Sequence, residues 1–198
     1  MGVVTASSSA LVPASDEQLL ACFRRGNQAA LELLFQRYRA VAYRVAYRLL
    51  GNEADALDAV QDGFIKALTN LKGFEGRSTF KTWLLRIVSN AALDLGRQRG
   101  RRETVFRADS PNGTEVEPLA PSENPAARLE RADLRQTLQE ALVQLPIAQR
   151  QTFVLHVEGE LSYREVADML GISIGTVMSR LFYARQKLRS LLSGKLPP

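Results

Sequence analysis

The stretch Leu161-Ser-Tyr-Arg-Glu-Val-Ala-Asp-Met-Leu170-Gly-Ile-Ser-Ile-Gly-Thr-Val-Met-Ser-Arg180-Leu-Phe-Tyr-Ala-Arg-Gln-Lys-Leu-Arg-Ser190-Leu-Leu192 decides the architecture. Ser162-Tyr163-Arg164-Glu165 is a capping box: a hydroxyl and a carboxylate three residues apart satisfy each other's free backbone N–H groups and open a helix. Val166, Ala167 and Leu170 carry that helix to Gly171, which permits a left-handed turn. Ser173 caps the next helix, whose inner stripe is Ile174, Val177, Leu181, Ala184, Leu188 and Leu191. Ala167 is small enough to let the two helices cross closely, and Ile172 plugs the angle between them. This is the physics of a helix-turn-helix. Its second helix turns Thr176, Ser179, Arg180, Tyr183 and Lys187 outward, where they can donate to phosphates or read base edges in a major groove.

Working outward, the same helical spacing recurs. Leu134, Leu138, Ala141, Leu142 and Leu145 form a stripe stopped at Pro146, and Gln149 to Val157 forms a further helix. Towards the N-terminus, Asp16 is expected to cap a helix through Leu19, Leu20 and Phe23. A second helix follows Gly26-Asn27 and ends at Gly51-Asn52. Ala54 to Leu71 places Leu57, Val60, Phe64, Leu68 and Leu71 on one face. After the loop Gly73–Arg77, Ser78 or Thr79 caps a helix that buries Phe80, Leu84, Ile87, Ala91 and Leu95. No segment has convincing strand alternation, so the fold class is all-α: two small helical domains joined by a flexible acidic linker.

The linker, 103–128, holds Pro111, Pro118, Pro121 and Pro125 with the turn signal Asn112-Gly113, and apolar periodicity stops there. Charge divides at the same place. Residues 1–102 carry a net +6, residues 103–133 a net −4 and residues 134–198 a net +3, within a chain of 198 residues and net +5. Two cationic lobes attract polyanions, nucleic acid above all. Expected boundaries are a disordered 1–15, a first domain over 16–102, the linker, and a second domain over 129–193. The Ser/Ala-rich start lacks the basic and apolar segments of a secretory signal, and no apolar run approaches 18 residues, so the expected compartment is the cytoplasm. A single Cys (Cys22) and a single His (His156) exclude a disulfide framework and a His- or Cys-based metal site. No glycine-rich phosphate loop is present either. No catalytic residue, metal or cofactor is therefore expected.

Two constellations in the first domain carry chemistry. The helix from Thr79 begins apolar and aromatic, with Phe80 and Trp83, and ends basic, with Arg97, Arg99, Arg101 and Arg102. Rings beside cations suit single-stranded DNA, since rings stack on unpaired bases while cations hold phosphates. Asp55, Asp58, Gln61 and Asp62 lie along one side of the preceding helix and suit a basic protein partner.

These constellations, in this order and joined by this linker, resemble bacterial sigma factors of the extracytoplasmic-function (ECF, group 4) type in the sigma-70 family. The resemblance covers 16–192. It rests on Asp55-Ala-Leu-Asp-Ala-Val-Gln-Asp-Gly-Phe64, on Phe74-Glu-Gly-Arg-Ser-Thr-Phe-Lys-Thr-Trp-Leu84 with Ile87 and Asn90, and on the helix-turn-helix with Gly175-Thr176-Val177. It implies that the first lobe is region 2. There the side bearing Asp55, Asp58, Gln61 and Asp62 would bind the β′ coiled coil of the RNA polymerase core. Phe74, Arg77, Ser78, Lys81, Trp83, Arg86, Asn90, Arg97 and Arg101 would hold the melted −10 element. It implies that the second lobe is region 4, meeting the β flap and reading the −35 element through Ser173, Thr176, Ser179, Arg180, Phe182, Tyr183 and Arg185. Promoter DNA and an anti-sigma factor are implied as further partners, with no membrane insertion. Met178 and Tyr183 stand where the family often has Arg, so two potential guanine readers are missing. Gly63 stands where Ala is common, at about 1 kcal/mol of helix propensity. The rival reading is a stand-alone helix-turn-helix regulator whose N-terminal domain senses a ligand or dimerises.

Overall fold

The computed structural model describes residues 14–103 and 125–193, and side chains only over 14–100 and 133–193. The expectations for residues 1–13, for most of the linker and for the Arg101 side chain lie outside the described residues. The described elements are helices α1 (Asp16–Arg24), α2 (Gln28–Leu50), α3 (Glu53–Asn70), a 3₁₀ turn (Leu71–Gly73), α4 (Phe80–Glu103), α5 (Pro125–Val143), α6 (Ile147–Val157), α7 (Tyr163–Leu170) and α8 (Ile174–Leu192). No strand occurs among them, which agrees with the all-α reading. Helix α5 begins at Pro125, inside the stretch expected to be linker. Proline suits a first helical position because its missing N–H has no intrahelical partner there.

The chain divides into two compact units within α2, one up to Val41 and one from Ala42 onward. In the first unit, Ser15 rather than Asp16 caps α1. Its hydroxyl accepts from the Gln18 N–H at 3.3 Å, and Gln18 Oε1 accepts from the Ser15 N–H at 2.8 Å. Asp16 is thereby free to hold α2: Arg37 Nη1 sits 2.5 Å from its carboxylate, and the Tyr38 hydroxyl donates to it. Burial pushes the Tyr38 phenol well above its ordinary value, with Asp16's hydrogen bond and charge adding to the shift. Cys22 is half-buried and its sulfur accepts from Arg25 at 3.3 Å.

In the second unit, α3 packs on α4 along small residues. Ala56, Ala59, Val60, Gly63 and Ala67 are buried, while Leu57, Ile65 and Leu68 point outward at 48%, 52% and 47% exposure. The expected stripe through Leu57 and Leu68 is therefore rotated, with only Val60 and Leu71 of that set buried. The reason is proximity. A Cβ at Gly63 would stand 2.8 Å from Val88 Cγ2 and 3.0 Å from Val88 Cα, so the two backbones are too close for leucines between them. The same contact accounts for glycine at this position. On α4, Phe80, Leu84, Leu85, Val88, Ala91 and Ala92 are buried, and Ile87 and Leu95 only partly so. Thr79 caps this helix, accepting from the Thr82 N–H at 3.1 Å.

The helix-turn-helix forms as its residues dictate. Ser162 Oγ accepts from the Glu165 N–H at 3.2 Å, and Glu165 Oε2 accepts from the Ser162 N–H at 2.9 Å. Gly171 adopts φ 64°, ψ 37° and its N–H closes on Ala167 O. Ala167 is buried, and Val177, Leu181, Ala184 and Leu188 form the inner face of α8. Ala141 and Leu142 of α5 and Leu145 just beyond it join Ala184 and Leu188 in one core, with Leu138, Phe153, Leu191 and Leu192 packed against it. Ile174 and Leu134, expected inside, are 46% and 43% exposed; Ile174 opens α8 and Leu134 sits at the middle of α5, one turn before Leu138. His156 is half-buried, its Nδ1 2.8 Å from Leu161 O and its ring edge-on to Tyr163.

Candidate nucleic-acid interface

Three surfaces of the second unit carry the residues singled out by sequence. The first is built on the loop between the 3₁₀ turn and α4. Phe74 and Phe80 are buried and support Trp83, with ring centroids 5.1 and 5.7 Å away respectively. Trp83 is half-buried and forms one wall of a cavity of about 390 Å³ together with Arg77, Ser78, Thr82 and Arg86. Phe74 thus lines the cavity as a wall and does not project from the surface. A ring wall with cations at the mouth is the chemistry that accepts an unstacked base while phosphates remain outside. Arg77 is 84% exposed and pairs with Glu75 at 2.6 Å. Asn90 and Arg97 are exposed further along α4, Arg97 beside Asp94 at 2.5 Å.

The second surface is the outer face of α8. Ser173 Oγ lies 2.9 Å from Thr176 Oγ1 and caps the helix, and Ser179 donates to Thr176 O at 3.1 Å. Arg180 is half-buried, while Met178, Phe182 and Tyr183 are 55%, 62% and 55% exposed. A groove of about 450 Å³ runs between Tyr163 at the start of α7 and Met178, Phe182, Arg185 and Arg189 of α8. Apolar side chains beside arginines fit thymine methyl groups flanked by phosphates.

The third surface is the outer side of α3. Asp58, Gln61 and Asp62 are exposed, Asp62 pairing with Lys66 at 2.6 Å, and Leu57, Ile65 and Leu68 lie among them. Asp55 differs from its neighbours: its carboxylate is held by Arg99 of α4 and is largely covered. Acidic and apolar groups thus stand side by side on this face, a composition that complements a basic partner.

Several contacts near the first surface carry no signal in the sequence. Thr82 Oγ1 donates to Glu165 Oε1 at 2.9 Å, Lys81 Nζ lies 2.9 Å from Glu160 Oε2, and Asp168 and Met169 of α7 close the far wall of the cavity. Lys81's hydrogen bond and charge hold the Glu160 carboxyl below its usual value. For Glu165, burial raises the value, but hydrogen bonds from Ser162 and Thr82 and the charge of Lys81 outweigh it and leave the carboxyl lowered. These partners are about 80 residues apart in sequence, beyond the reach of local pattern. Among the described residues no group of acidic, His or Cys side chains could hold a metal, and no helix is long and apolar enough to cross a membrane.

The fold and the three surfaces define a helical protein that carries a helix-turn-helix and an aromatic, cation-edged cavity. The described pattern has family counterparts. Residues 34–102 match the model of sigma-70 region 2, and residues 135–188 match sigma-70 region 4. The chain is 32% identical over 174 residues to the ECF RNA polymerase sigma factor SigW of Bacillus subtilis, covering 85% of this chain and 92% of that protein. It is 33% identical to the ECF RNA polymerase sigma-E factor of Escherichia coli, over 88% of this chain and 92% of that one. Among solved structures it resembles CnrH in complex with the cytosolic domain of CnrY (TM-score 0.67, 31% identity, 91% of this chain and 99% of that one). It also resembles the sigma factor RpoE of Bartonella quintana in complex with the anti-sigma factor NepR (TM-score 0.63, 27% identity, 82% and 98%). The chain belongs to the ECF sigma factors of the sigma-70 family.

Proposed function

We propose that this chain directs RNA polymerase core enzyme to promoters and assists their melting, by binding alone and with no bond chemistry of its own. The observation that carries the reading is the pairing, on one chain, of the Trp83 cavity edged by Arg77 and Arg86 with the exposed helix-turn-helix face of α8. One surface suits unpaired bases and the other a duplex groove, which is what opening one element while gripping another requires. The side of α3 bearing Asp58, Gln61 and Asp62 docks the β′ coiled coil. Region 4 meets the β flap. Bound to polymerase, the lobes sit at the spacing of the −35 and −10 elements, so occupancy of one raises the effective concentration of the other. Capture of flipped bases then shifts the duplex equilibrium towards open, offsetting an unstacking cost of a few kcal/mol. The chain works in the cytoplasm with the polymerase, under an anti-sigma factor that covers its polymerase-binding faces.

Run-off transcription with purified core polymerase on genomic fragments tests this. Defined start sites that depend on this chain are expected. Tight sequence-specific duplex binding without core enzyme in a gel shift, with no transcription when core is added, would establish the stand-alone regulator instead.

A further inference from the structure

Part of the region 2 surface proposed for the −10 element is contacted by region 4 of the same chain, while Arg77, Arg86, Asn90 and Arg97 stay exposed. Lys81 holds Glu160, Thr82 donates to Glu165, and Asp168 and Met169 wall the Trp83 cavity. Beside these, Glu158 takes two cations of α2 at once: Arg44 at 3.3 Å and Arg48 at 3.1 Å. Arg48 also donates to Gln139 Oε1 at 3.2 Å and to the Arg135 carbonyl at 3.4 Å, tying α5 to the same place. Between the two glutamates, Gly159 is buried, and a Cβ there would meet Leu85 Cδ1 of α4 at 3.3 Å and Leu155 O at 2.4 Å. Glu160 has φ 53°, the left-handed region that side chains other than glycine rarely adopt. A non-glycine residue stays there only when its surroundings hold it; here the ion pair to Lys81 is one of them.

We infer that the acidic turn Glu158-Gly159-Glu160, with Glu165, is an intramolecular stand-in for the −10 strand: its carboxylates take the place of phosphates on region 2 and close the base cavity until polymerase draws the lobes apart. The identity of the displaced ligand rests on the promoter-melting reading; the closure itself rests only on these contacts. The chemistry matches. Lys81 and Arg48 meet anionic oxygens, and Thr82 meets an acceptor, as they would on a nucleic acid backbone. The latch is also weak enough to open. Two of its three ion pairs, Arg44–Glu158 and Lys81–Glu160, are partly exposed and contribute little one at a time, while Arg48–Glu158 is the more covered one. A closed fraction taxes ligand binding by that fraction, so a latch shut about nine-tenths of the time weakens apparent affinity about tenfold.

The test uses the full chain and the double variant Glu158→Gln/Glu160→Gln, which removes the charges, keeps side-chain shape and leaves the α7 capping box intact. Glu32→Gln/Glu140→Gln, at exposed positions away from the turn, is the charge-matched control. Trp83 is the sole tryptophan, so its acrylamide quenching reads the closure directly, without DNA or polymerase. Stronger quenching in the turn variant than in wild type and control is expected, with about tenfold tighter binding of a labelled T-rich single-stranded oligonucleotide by the free chain. Equal quenching in all three proteins overturns the closure. Stronger quenching with unchanged oligonucleotide affinity overturns the mimicry, provided wild type with core enzyme melts a promoter. If it melts none, the promoter-melting reading has failed and the closure, read from quenching, stands.

Discussion

At Gly63 two residue-level effects compete. Alanine would gain about 1 kcal/mol of helix propensity. Its Cβ would also stand 2.8 Å from Val88, against backbone as well as side chain, and overpacking of this kind costs about 1–3 kcal/mol. Steric crowding wins because α3 cannot move off α4 without uncovering the small-residue seam. Gly63→Ala is therefore expected to lower stability by up to about 2 kcal/mol, read as a fall in the urea midpoint at constant slope. Trp83 is the residue whose loss should be felt in function. Stacking on a ring is worth about 1–3 kcal/mol per base. In open complexes probed with permanganate, Trp83→Ala with Lys81→Ala is expected to lose thymine reactivity near −10; unchanged reactivity would remove both from that site. On α8, Met178 is an exposed, flexible apolar side chain with no donor. Met178→Arg should create a guanine preference worth about 1–3 kcal/mol at one −35 position, visible when promoter variants compete for the reconstituted holoenzyme.

At the scale of the element, α7 is only eight residues long and depends on its ends. Its capping box and the left-handed Gly171 satisfy groups that so short a helix cannot satisfy internally. Ser162→Ala is expected to cost about 1 kcal/mol by denaturant unfolding. Glu165 adds a pH dependence with a definite sign. Its carboxyl is lowered in the folded chain relative to the ordinary 4.5, so it contributes stability above that value and the contribution fades as pH falls through the folded one. The stability gap between wild type and Glu165→Gln should be full at pH 7 and narrow below about pH 4.5. A gap that stays constant to pH 3 would mean the carboxylate charge has no part in the cap. Helix α3 shows the complementary case, in which local pattern misleads. Its leucines repeat at helical spacing and read as core, yet Leu57 and Leu68 face outward because Gly63 brings α4 too close to admit them.

For the whole molecule, the inferred closure makes the balance between regions held together and regions held apart the quantity to measure. The glutamates at the α6–α7 turn pair with Arg48 and Lys81, and on the inference above Lys81 is released to the −10 strand when they let go. Partly exposed pairs are screened within a Debye length of about 8 Å at physiological ionic strength. Trp83 quenching in the free wild-type chain should therefore rise with added salt and change less in Glu158→Gln/Glu160→Gln. A salt response identical in both proteins would detach the ion pairs from the closure.

What the sequence determined by itself is everything that depends on neighbours within one or two turns. Helix existence, the Ser162–Glu165 box, the Gly171 stop and the outward face of α8 all follow from residues three or four apart, because helical geometry makes those residues touch. The family motifs were legible for the same reason, being short and contiguous. Tertiary structure alone decided the rest. The partners of Asp16, which Ser15 leaves uncommitted by capping α1, are Arg37 and Tyr38, more than twenty residues away. The side of α3 that is buried was set by Val88 on another helix. The pairing of Lys81 with Glu160 across 79 positions follows from which surfaces meet once the helices pack, and no local period encodes that meeting.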